Sequence, residues 1–341
     1  MINPEANPDR KAALAKWLQA VLAPQTFDLT TASADASFRR YFRVHTVSGT
    51  SIAMDAPPPL EDCRPFVHVA GLMLEAGLNV PKILAQDVER GFLLLSDLGD
   101  TTYLSQLGPS TADTLYRDAW HALVKLQLAS RPGVLPPYDE ALLTREMQLF
   151  PDWYISRHLG LTLDEKDSQL LQKIFATLNA NLLAQPQVYV HRDYHARNLM
   201  VCGGEAQQNP GVLDFQDAVY GPITYDLVSL LKDAYIAWDE ERVLDWTVRY
   251  WQAARHAELP VAADFADFYR DFEWMGVQRH IKILGIFARL YYRDGKDGYL
   301  KDMPLVMDYL RRACARYIEL RPLLALLDRI EKNEPQVGYT F

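Results

Sequence analysis

The stretch of sequence that decides the fold reads QVYVHRDYHARNLM at residues 187–200 and GVLDFQDAVYGPITYDLVSLL at residues 211–231. Short apolar runs, bounded by polar and glycine-containing segments, predict strands near 188–190, 199–202 and 212–214. Asp193, Asn198 and Asp214 then lie in loops at the strand ends. Loops of this kind often carry functional side chains, so these three residues are the first candidates for a site.

Residues 191–198 match H-R-D-x-x-x-x-N, the catalytic-loop pattern of kinases, and Asp214-Phe215 stands in the place of D-F-G. Phosphoryl transfer needs an oriented hydroxyl, and a carboxylate such as Asp193 can accept its proton. Magnesium prefers oxygen ligands and takes only one or two carboxylates, so Asn198 and Asp214 are the predicted metal ligands. The pattern therefore predicts a kinase that depends on ATP and Mg²⁺.

Each of these residues, taken alone, has a simpler interpretation. An aspartate at the end of a strand is more often a turn residue or a helix cap than a catalytic group. His191 and His195 are four residues apart, but a zincin helix would need Glu in place of Arg192. We therefore interpret both histidines as structural, and the kinase prediction depends on the whole pattern.

Composition narrows the class of protein. The chain has 341 residues, enough for two lobes, and its formal net charge of −9 disfavours a nucleic-acid partner. Three cysteines far apart in the sequence argue against a disulfide framework and favour a reducing cytoplasm. No apolar stretch reaches the ~18–20 residues of a membrane span, so no membrane association is predicted. The oligomeric state is left open.

The two ends of the chain differ in predicted secondary structure. Helices at 7–22 and 61–76 accompany strands at 26–31, 38–46, 50–54, 80–86 and 91–96. The remainder is mostly helical, with predicted helices at 101–129, 141–158, 163–184, 223–236, 239–257, 263–290 and 302–331. The sequence thus predicts an α+β fold: a small nucleotide-binding lobe at 1–98, and a larger helical lobe at 99–341 with the catalytic loop and substrate site.

These segments resemble the aminoglycoside phosphotransferase family, the small-molecule branch of the protein-kinase-like fold that includes the choline kinases. The resemblance covers nearly the whole chain and implies a five-stranded antiparallel sheet in the first lobe. It implies that Asp226 buttresses the catalytic loop, with His191 in structural support, although a plain helix cap is an alternative for Asp226. The adenine site is predicted at the backbone of the hinge, at Ser96, Asp97 and Leu98.

The segment after Asp214 favours a small substrate over a peptide. The chain passes almost directly into the helix near Asp226, without a long activation segment or an A-P-E motif. Protein kinases use that segment to hold a peptide. Arg197 and Asp217, which flank the predicted metal ligands, are predicted to meet the small substrate.

Two departures from the family concern the phosphates. No glycine-rich loop is present, and residues 34–39 take its place, so Ser37, Phe38 and Arg39 are predicted to face the nucleotide. Met54 stands on the third strand, where the family often carries Lys or Arg. The phosphate-binding cation must then come from elsewhere, and the candidates are Arg39, Arg43 and Arg64.

Further motifs are SFRRYFR at 37–43, MDAPP at 54–58, DFQDA at 214–218 and GVQRHIK at 276–282. They resemble a bacterial branch of the family that phosphorylates the anomeric hydroxyl of two amino sugars, N-acetylmuramate and N-acetylglucosamine, in peptidoglycan recycling. N-acetylmuramate carries a lactyl carboxylate, so recognition by a cation is expected. Arg279, His280 or Lys282 is predicted to supply it, and pairing of these residues with acids such as Glu273 is the alternative.

Two other functions remain open at the level of sequence. An aminoglycoside or choline-type kinase would need a carboxylate-lined pocket, for which the helical lobe offers Asp233, Asp239, Glu240 and Glu241. A pseudokinase that only binds nucleotide would explain the missing lysine of the third strand. The intact base and metal ligands argue against the second of these.

Overall fold

The computed structural model describes residues 8–34, 38–203 and 208–332. Contacts within the chain divide it into two compact units. Unit 1 comprises residues 1–106 and 197–217, and unit 2 comprises residues 107–196 and 218–341. The segment with the predicted metal ligands thus belongs to unit 1. The functional division at residue 98 stays a prediction.

Unit 1 is built on a five-stranded antiparallel sheet with the strand order β1-β2-β3-β5-β4. Its strands are β1 (Asp28–Ala34), β2 (Arg40–Thr46), β3 (Gly49–Asp55), β4 (Ile83–Asp87) and β5 (Phe92–Ser96). Phe42 and Val44 are two residues apart on β2, so they point to the same face of the sheet. They pack there against Leu14 and Leu18 of helix α1 (Pro8–Leu22). The predicted five-stranded sheet is confirmed.

In the described part of unit 1, the remaining elements are two helices and a short hairpin. These elements are α2 (Arg64–Glu75), α3 (Tyr103–Gln106), β7 (Leu199–Met200) and β8 (Gly211–Val212), with β7 and β8 paired antiparallel. Phe66 of α2 packs on Phe215, with ring centroids 4.7 Å apart. This aromatic contact joins α2 to the segment that carries Asp214.

Unit 2 is mainly helical. Its helices are α4 (Ala112–Leu128), α5 (Glu140–Met147), α6 (Glu165–Ala184), α7 (Tyr225–Leu231), α8 (Glu240–His256), α9 (Phe265–Asp294), α10 (Met303–Arg316) and α11 (Arg321–Ile330), with a π-helix at Phe150–His158 and 3₁₀ turns at Asp297–Asp302 and Ile318–Leu320. The core includes Phe150, Val277 and Ile281. Gly285 of α9 lies against the backbone of Leu149, where a β-carbon would come within 2.5 Å of the carbonyl oxygen. Helix α9 is therefore the central element of the unit.

One strand of unit 2 leads into the catalytic-loop segment, and a second strand pairs with it. Strands β6 (Gln187–Val190) and β9 (Val219–Pro222) pair antiparallel, with Val190 opposite Val219. The sequence analysis did not predict β9, because its Gly221-Pro222 pair is typical of a turn.

Two long predicted helices were wrong in their continuity. The helix predicted at 101–129 is interrupted between α3 and α4, around Gly108-Pro109. The helix predicted at 302–331 is interrupted at Tyr317, which has extended dihedral angles, and α11 begins next to Pro322. Proline is compatible with the first turn of a helix but not with its interior, which explains both breaks. No helix in the described part of the chain has the length and apolar character required to cross a bilayer.

Candidate functional site

The carboxylate of Asp226 holds the start of the loop that follows β6. Asp226 lies in the first turn of α7, and its oxygens accept the backbone N–H groups of His191 at 2.6 Å and Arg192 at 3.0 Å. Burial raises the pKa of Asp226 to about 7, and the two backbone hydrogen bonds act in the opposite direction. The structure thus brings together the two residues, His191 and Asp226, that were assigned to structural support.

Buried groups also fix the later part of the loop. The hydroxyl of Tyr194, which is fully buried, donates to the carbonyl oxygen of Ala119 at 2.8 Å. The backbone N–H of Ala196 donates to a carboxylate oxygen of Asp233 at 3.1 Å. Asp233 entered the sequence analysis only as a candidate pocket acid. Its contact with Ala196 gives it a structural role in the loop.

Asp193 lies between these anchors. Its N–H donates to Nδ1 of His191 at 3.2 Å, and its carbonyl oxygen accepts the N–H of His195 at 3.0 Å. Burial acts to raise the pKa of Asp193, but the charges of Lys282, His195 and Arg279, together with His191, outweigh it and hold the pKa below its usual value. The carboxyl is therefore ionised at neutral pH, as a general base must be.

Arg279 and Lys282, which were predicted to recognise the sugar, are buried and contact protein groups. Nη1 of Arg279 donates to the carbonyl oxygen of Arg192 at 2.9 Å and to the hydroxyl of Tyr225 at 3.0 Å. Nζ of Lys282 donates to the same hydroxyl at 2.9 Å and lies 3.3 Å from a carboxylate oxygen of Glu146. Recognition of a carboxylate by these two residues stays a prediction.

His280 has different surroundings. Its ring stacks on Tyr309, with centroids 5.2 Å apart, and Nε2 lies 3.4 Å from the carbonyl oxygen of Lys232. Burial and the charge of Lys232 lower the pKa of His280 to about 3. The imidazole is therefore neutral at physiological pH, and it supplies no positive charge for a carboxylate.

The predicted metal ligands lie side by side in unit 1. The N–H of Leu213 donates to the carbonyl oxygen of Asn198 at 2.9 Å, and Nδ2 of Asn198 donates to a carboxylate oxygen of Asp214 at 3.3 Å. Asp214 has a φ of 63°, and its other oxygen accepts Nε2 of Gln216 at 2.8 Å. An amide and a carboxylate held this close are a donor set that suits magnesium.

The three candidate phosphate-binding cations differ in their surroundings. Arg39 lies 3.7 Å from a carboxylate oxygen of Asp214, and its side chain is 11% exposed. Arg43 pairs with Asp97 at 2.7 Å. Burial acts to raise the pKa of Asp97, but the contact with Arg43 and the hydrogen bonds from Gly99 and Thr50 together lower it. Arg64 is 65% exposed. Of the three, Arg39 is the one that faces a predicted metal ligand.

A cavity of about 570 Å³ lies within unit 1. Its lining includes Arg43, Ser96, Asp97, Leu98, Arg197, Asn198 and Asp214. Met54 is fully buried on β3, so an apolar side chain occupies the position at which a lysine or arginine was expected. The predicted hinge residues and both metal ligands thus share one cavity, whose volume is typical of small-molecule sites.

Among the predicted site residues of unit 1 that the structure describes, Phe38, Arg39 and Asp217 take no part in the lining. Ser37 lies outside the described residues. Phe38 is half exposed, and its backbone N–H donates to Glu61 at 3.1 Å. Asp217 accepts Nε2 of Gln216 at 3.3 Å. Contacts of Phe38 and Asp217 with ligands stay predictions.

Comparison with known proteins gives the family. Residues 28–266 match the family model described as the phosphotransferase enzyme family, APH. The chain belongs to this family. The match includes the catalytic-loop segment and both predicted metal ligands, and the family relationship predicted from the sequence is confirmed.

Two relatives of this phosphotransferase cover most of its length. A protein from Neisseria meningitidis serogroup B, named N-acetylmuramate/N-acetylglucosamine kinase, is 52% identical over 338 residues, which are 97% of this chain and 99% of the relative. A Pseudomonas aeruginosa protein of the same name is 53% identical over 91% of this chain and 89% of the relative.

Solved structures agree on the fold. A choline kinase from Streptococcus pneumoniae has a TM-score of 0.62 at 12% identity, covering 90% of this chain and 99% of that one. An aminoglycoside phosphotransferase with bound ADP has a TM-score of 0.54 at 16% identity, covering 88% and 96%. At these identities the likeness concerns the fold alone, and it confirms the predicted protein-kinase-like class.

The sequence analysis missed Glu146 in this phosphotransferase. Glu146 accepts hydrogen bonds from the hydroxyl of Tyr138 and the guanidinium of Arg192, in addition to its contact with Lys282. A signal was present, because Glu146 sits beside the buried residues Leu143 and Met147 on one stripe of α5. An acid on an apolar stripe needs a buried partner.

Proposed function

We propose that this phosphotransferase transfers the γ-phosphate of ATP to the anomeric C1 hydroxyl of N-acetylmuramate and N-acetylglucosamine. The observation that carries the proposal is the 52% identity, over 97% of the chain, with the Neisseria meningitidis protein of that name. The products are ADP and a sugar 1-phosphate. A nucleotidyltransferase that builds a UDP-sugar would consume such a product, in keeping with peptidoglycan recycling.

Asp193 is the proposed base. The C1 oxygen attacks the γ-phosphorus, the bond from phosphorus to the β,γ-bridging oxygen breaks, and the hydroxyl proton passes to the carboxylate. A carboxylate with a lowered pKa is a weak base, but an anomeric hydroxyl is more acidic than an ordinary alcohol. Since the transition state is loose, the main task of Asp193 is to orient the hydroxyl in line.

Asn198 and Asp214 are the proposed magnesium ligands. Among the residues that the structure describes, no three His, Cys, Asp or Glu side chains gather into a metal site. That agrees with magnesium, which usually takes one or two carboxylates and completes its coordination with water and phosphate oxygens. When bound, the ion would neutralise charge on the phosphates. Gln216 holds the Asp214 carboxylate in place through its 2.8 Å hydrogen bond.

ATP is proposed to occupy the cavity of unit 1, with the adenine at the backbone of Ser96, Asp97 and Leu98. Arg39 is the proposed phosphate-binding cation. Its guanidinium is mostly buried and faces Asp214, whereas Arg43 forms a salt bridge with Asp97 and Arg64 is exposed. A supply of ATP implies the cytoplasm as the working compartment.

Turnover with four acceptors tests the proposal: N-acetylmuramate, N-acetylglucosamine, choline and kanamycin, each with ATP and Mg²⁺, followed by phosphorus NMR of the product. We expect a sugar 1-phosphate from the first two. Asp193→Asn should lower kcat by about 10²–10⁴-fold, the usual contribution of a general base. Asp245→Asn, the same change at an exposed site on α8, is the matched control.

Other outcomes would redirect the proposal. Turnover with choline or kanamycin alone would support a kinase but exclude the two sugars as its acceptors. ATP binding without turnover of any acceptor would favour a binding module. Arg39→Met should weaken ATP binding, measured by fluorescence titration, and Arg64→Met should not. Equal affinities in the two variants would exclude Arg39 as the phosphate-binding cation.

A further inference from the structure

Arg192, near the start of the catalytic loop, has an unusual backbone conformation. Its φ is +76°, in the left-handed region that residues with a β-carbon rarely adopt. Three separate contacts hold it there. Asp226 accepts its N–H at 3.0 Å, Arg279 donates to its carbonyl oxygen at 2.9 Å, and Glu146 pairs with its guanidinium. Such a conformation persists only where the surroundings over-determine it.

Glu146 reaches the loop from a different element, helix α5. Its side chain is 8% exposed and accepts hydrogen bonds from Tyr138 and Arg192, with Lys282 3.3 Å away. Burial acts to raise the pKa of Glu146, but Lys282 and Arg192 outweigh it and lower the pKa. The carboxylate is thus a fixed negative charge, and removing it would take away the acid that lies against both Arg192 and Lys282.

Tyr225 connects the remaining cations. Its hydroxyl accepts hydrogen bonds from Nη1 of Arg279 at 3.0 Å and from Nζ of Lys282 at 2.9 Å. Arg279 and Lys282 are three residues apart on α9, so they project from one face of the helix. Both also act on Asp193, whose carboxylate their charges favour. The contacts therefore run without a break from α5, through α9, to the loop that carries Asp193.

We infer that Glu146, Lys282, Arg279 and Tyr225 form a positioning cluster, which holds the catalytic loop ready for reaction without a covalent activation step. In protein kinases an activation loop is ordered by pairing of arginine with a phosphorylated residue. Here Arg192 pairs with a carboxylate that is built into the fold. The inference depends on the proposed function only in taking Asp193 as the base.

The charges favour this role over recognition of the sugar carboxylate. Arg192, Arg279 and Lys282 contribute three positive charges, the ionised acids Glu146 and Asp193 contribute two negative ones, and Asp226, with its pKa of about 7, contributes part of a third. Most of the positive charge of the network is therefore compensated within the protein. The sequence analysis considered pairing with an acid such as Glu273 as the alternative to recognition, and the acid that lies against Lys282 is Glu146.

Glu146→Gln tests the inference, with Glu273→Gln as the matched control. Glu273 is also buried and also accepts contacts from an arginine, a lysine and a tyrosine, but none of them belongs to the catalytic loop. We expect Glu146→Gln to lower kcat by about 10–100-fold, the usual effect of misplacing a catalytic group, with KM for both sugars nearly unchanged. Glu273→Gln should leave the kcat of the folded protein unchanged.

Two further variants separate positioning from general damage. Tyr225→Phe removes one hydroxyl and keeps the ring, so it should fold and should lower kcat in the same direction. Lys282→Met removes a charge that favours the Asp193 carboxylate, so the acidic limb of the kcat/KM profile should move up by about one pH unit. Amides of residues 191–196 should exchange hydrogen roughly tenfold faster in Glu146→Gln, and not in Glu273→Gln.

Two outcomes would overturn the inference, and a third would concern the proposed function alone. A rise in KM for N-acetylmuramate alone, with kcat retained, would assign Lys282 or Arg279 to the lactyl carboxylate. Unchanged kcat, pH profile and exchange in the variants would leave the cluster with a purely structural role. A wild-type protein that phosphorylates neither sugar would refute the proposed function, and the exchange measurement would then decide the inference separately.

Discussion

Unit 2 contains two buried glutamates with the same kinds of partners. Glu146 meets Arg192, Lys282 and Tyr138, and Glu273 meets Arg316, Lys232 and Tyr317. Their side chains are 8% and 2% exposed, and the distance from lysine nitrogen to carboxylate oxygen is 3.3 Å in both. The clusters differ in the position of the arginine: Arg192 lies in the catalytic loop, and Arg316 lies at the end of α10.

The composition of a buried ionic cluster therefore does not reveal its role. Its role depends on which backbone segment the cluster restrains. One cluster restrains a strained loop residue next to Asp193, and the other joins helices α8, α9 and α10 through Glu240, Glu273 and Arg316. We therefore expect both clusters to affect stability and only the first to affect the rate of catalysis.

The largest expected effect on stability is that of Glu273→Gln. The change leaves Lys232 and Arg316 facing a neutral amide, and breaking a buried ion pair from one side typically costs about 3–5 kcal/mol. We expect a loss toward the lower end of that range, because Arg316 keeps its contact with Glu240. Urea unfolding of the variant measures it. A loss below about 1 kcal/mol would mean that Glu273 is not equivalent to Glu146.

Alkaline pH should change the stability contributions of Lys282 and Lys232 in opposite directions. Burial acts to lower the pKa of Lys282, but Glu146 and Tyr225 outweigh it and the pKa is raised. Its contribution to the free energy of unfolding is therefore complete below the unfolded pKa near 10.4 and is lost as the pH rises through the folded value. Burial lowers the pKa of Lys232 despite the nearby Glu273, so its contribution grows as the pH rises from the lowered folded value toward the unfolded one.

The destabilisation caused by Lys282→Met should accordingly stay constant up to about pH 10 and shrink above it, and that caused by Lys232→Met should grow as the pH rises toward about 10. Urea unfolding at several pH values measures both trends. Parallel trends in the two variants would contradict the difference between the clusters.

The smallest effect is expected at an exposed pair that serves as a reference. Arg249 and Asp245 lie one turn apart on α8, 2.8 Å from each other, and both side chains are more than half exposed. Such helix-surface pairs contribute about 0.3–0.5 kcal/mol, so Asp245→Asn should lower the unfolding free energy by no more than this. A shift of the unfolding midpoint comparable to that of Glu273→Gln would show that burial does not determine how strongly an ion pair stabilises the fold.

The sequence predicted the parts of the molecule whose determinants are local. The five separate strands follow from apolar runs and turn signals, whereas their joining into one antiparallel sheet was implied by the family resemblance. The loop at 191–198 is a contiguous motif. The glycine and prolines at Gly108-Pro109 and Pro322 were local signals for the two helix breaks. The helical periodicity on either side nevertheless led to the prediction of continuous helices. Signals that lie within a few residues of one another were therefore sufficient for most of the fold.

The anchors of the catalytic loop could not be predicted in the same way. Glu146 precedes Arg192 by 46 residues, and Arg279 follows it by 87. Nothing in a single sequence specifies contacts at such separations. The buried position of Glu146 was visible as an acid on an apolar stripe, but its partner was not.

Gly285 fixes the position of α9 against Leu149, and this position affects residues that Gly285 does not contact. A β-carbon there would come within 2.5 Å of the carbonyl oxygen of Leu149, and backbone atoms cannot move aside as a side chain can. Helix α9 would have to move away from Leu149. Arg279 and Lys282, which lie less than two turns earlier on the helix, would move with it. The contact of Arg279 with Arg192, and that of Lys282 with Glu146, therefore depend on the absence of one methyl group at residue 285.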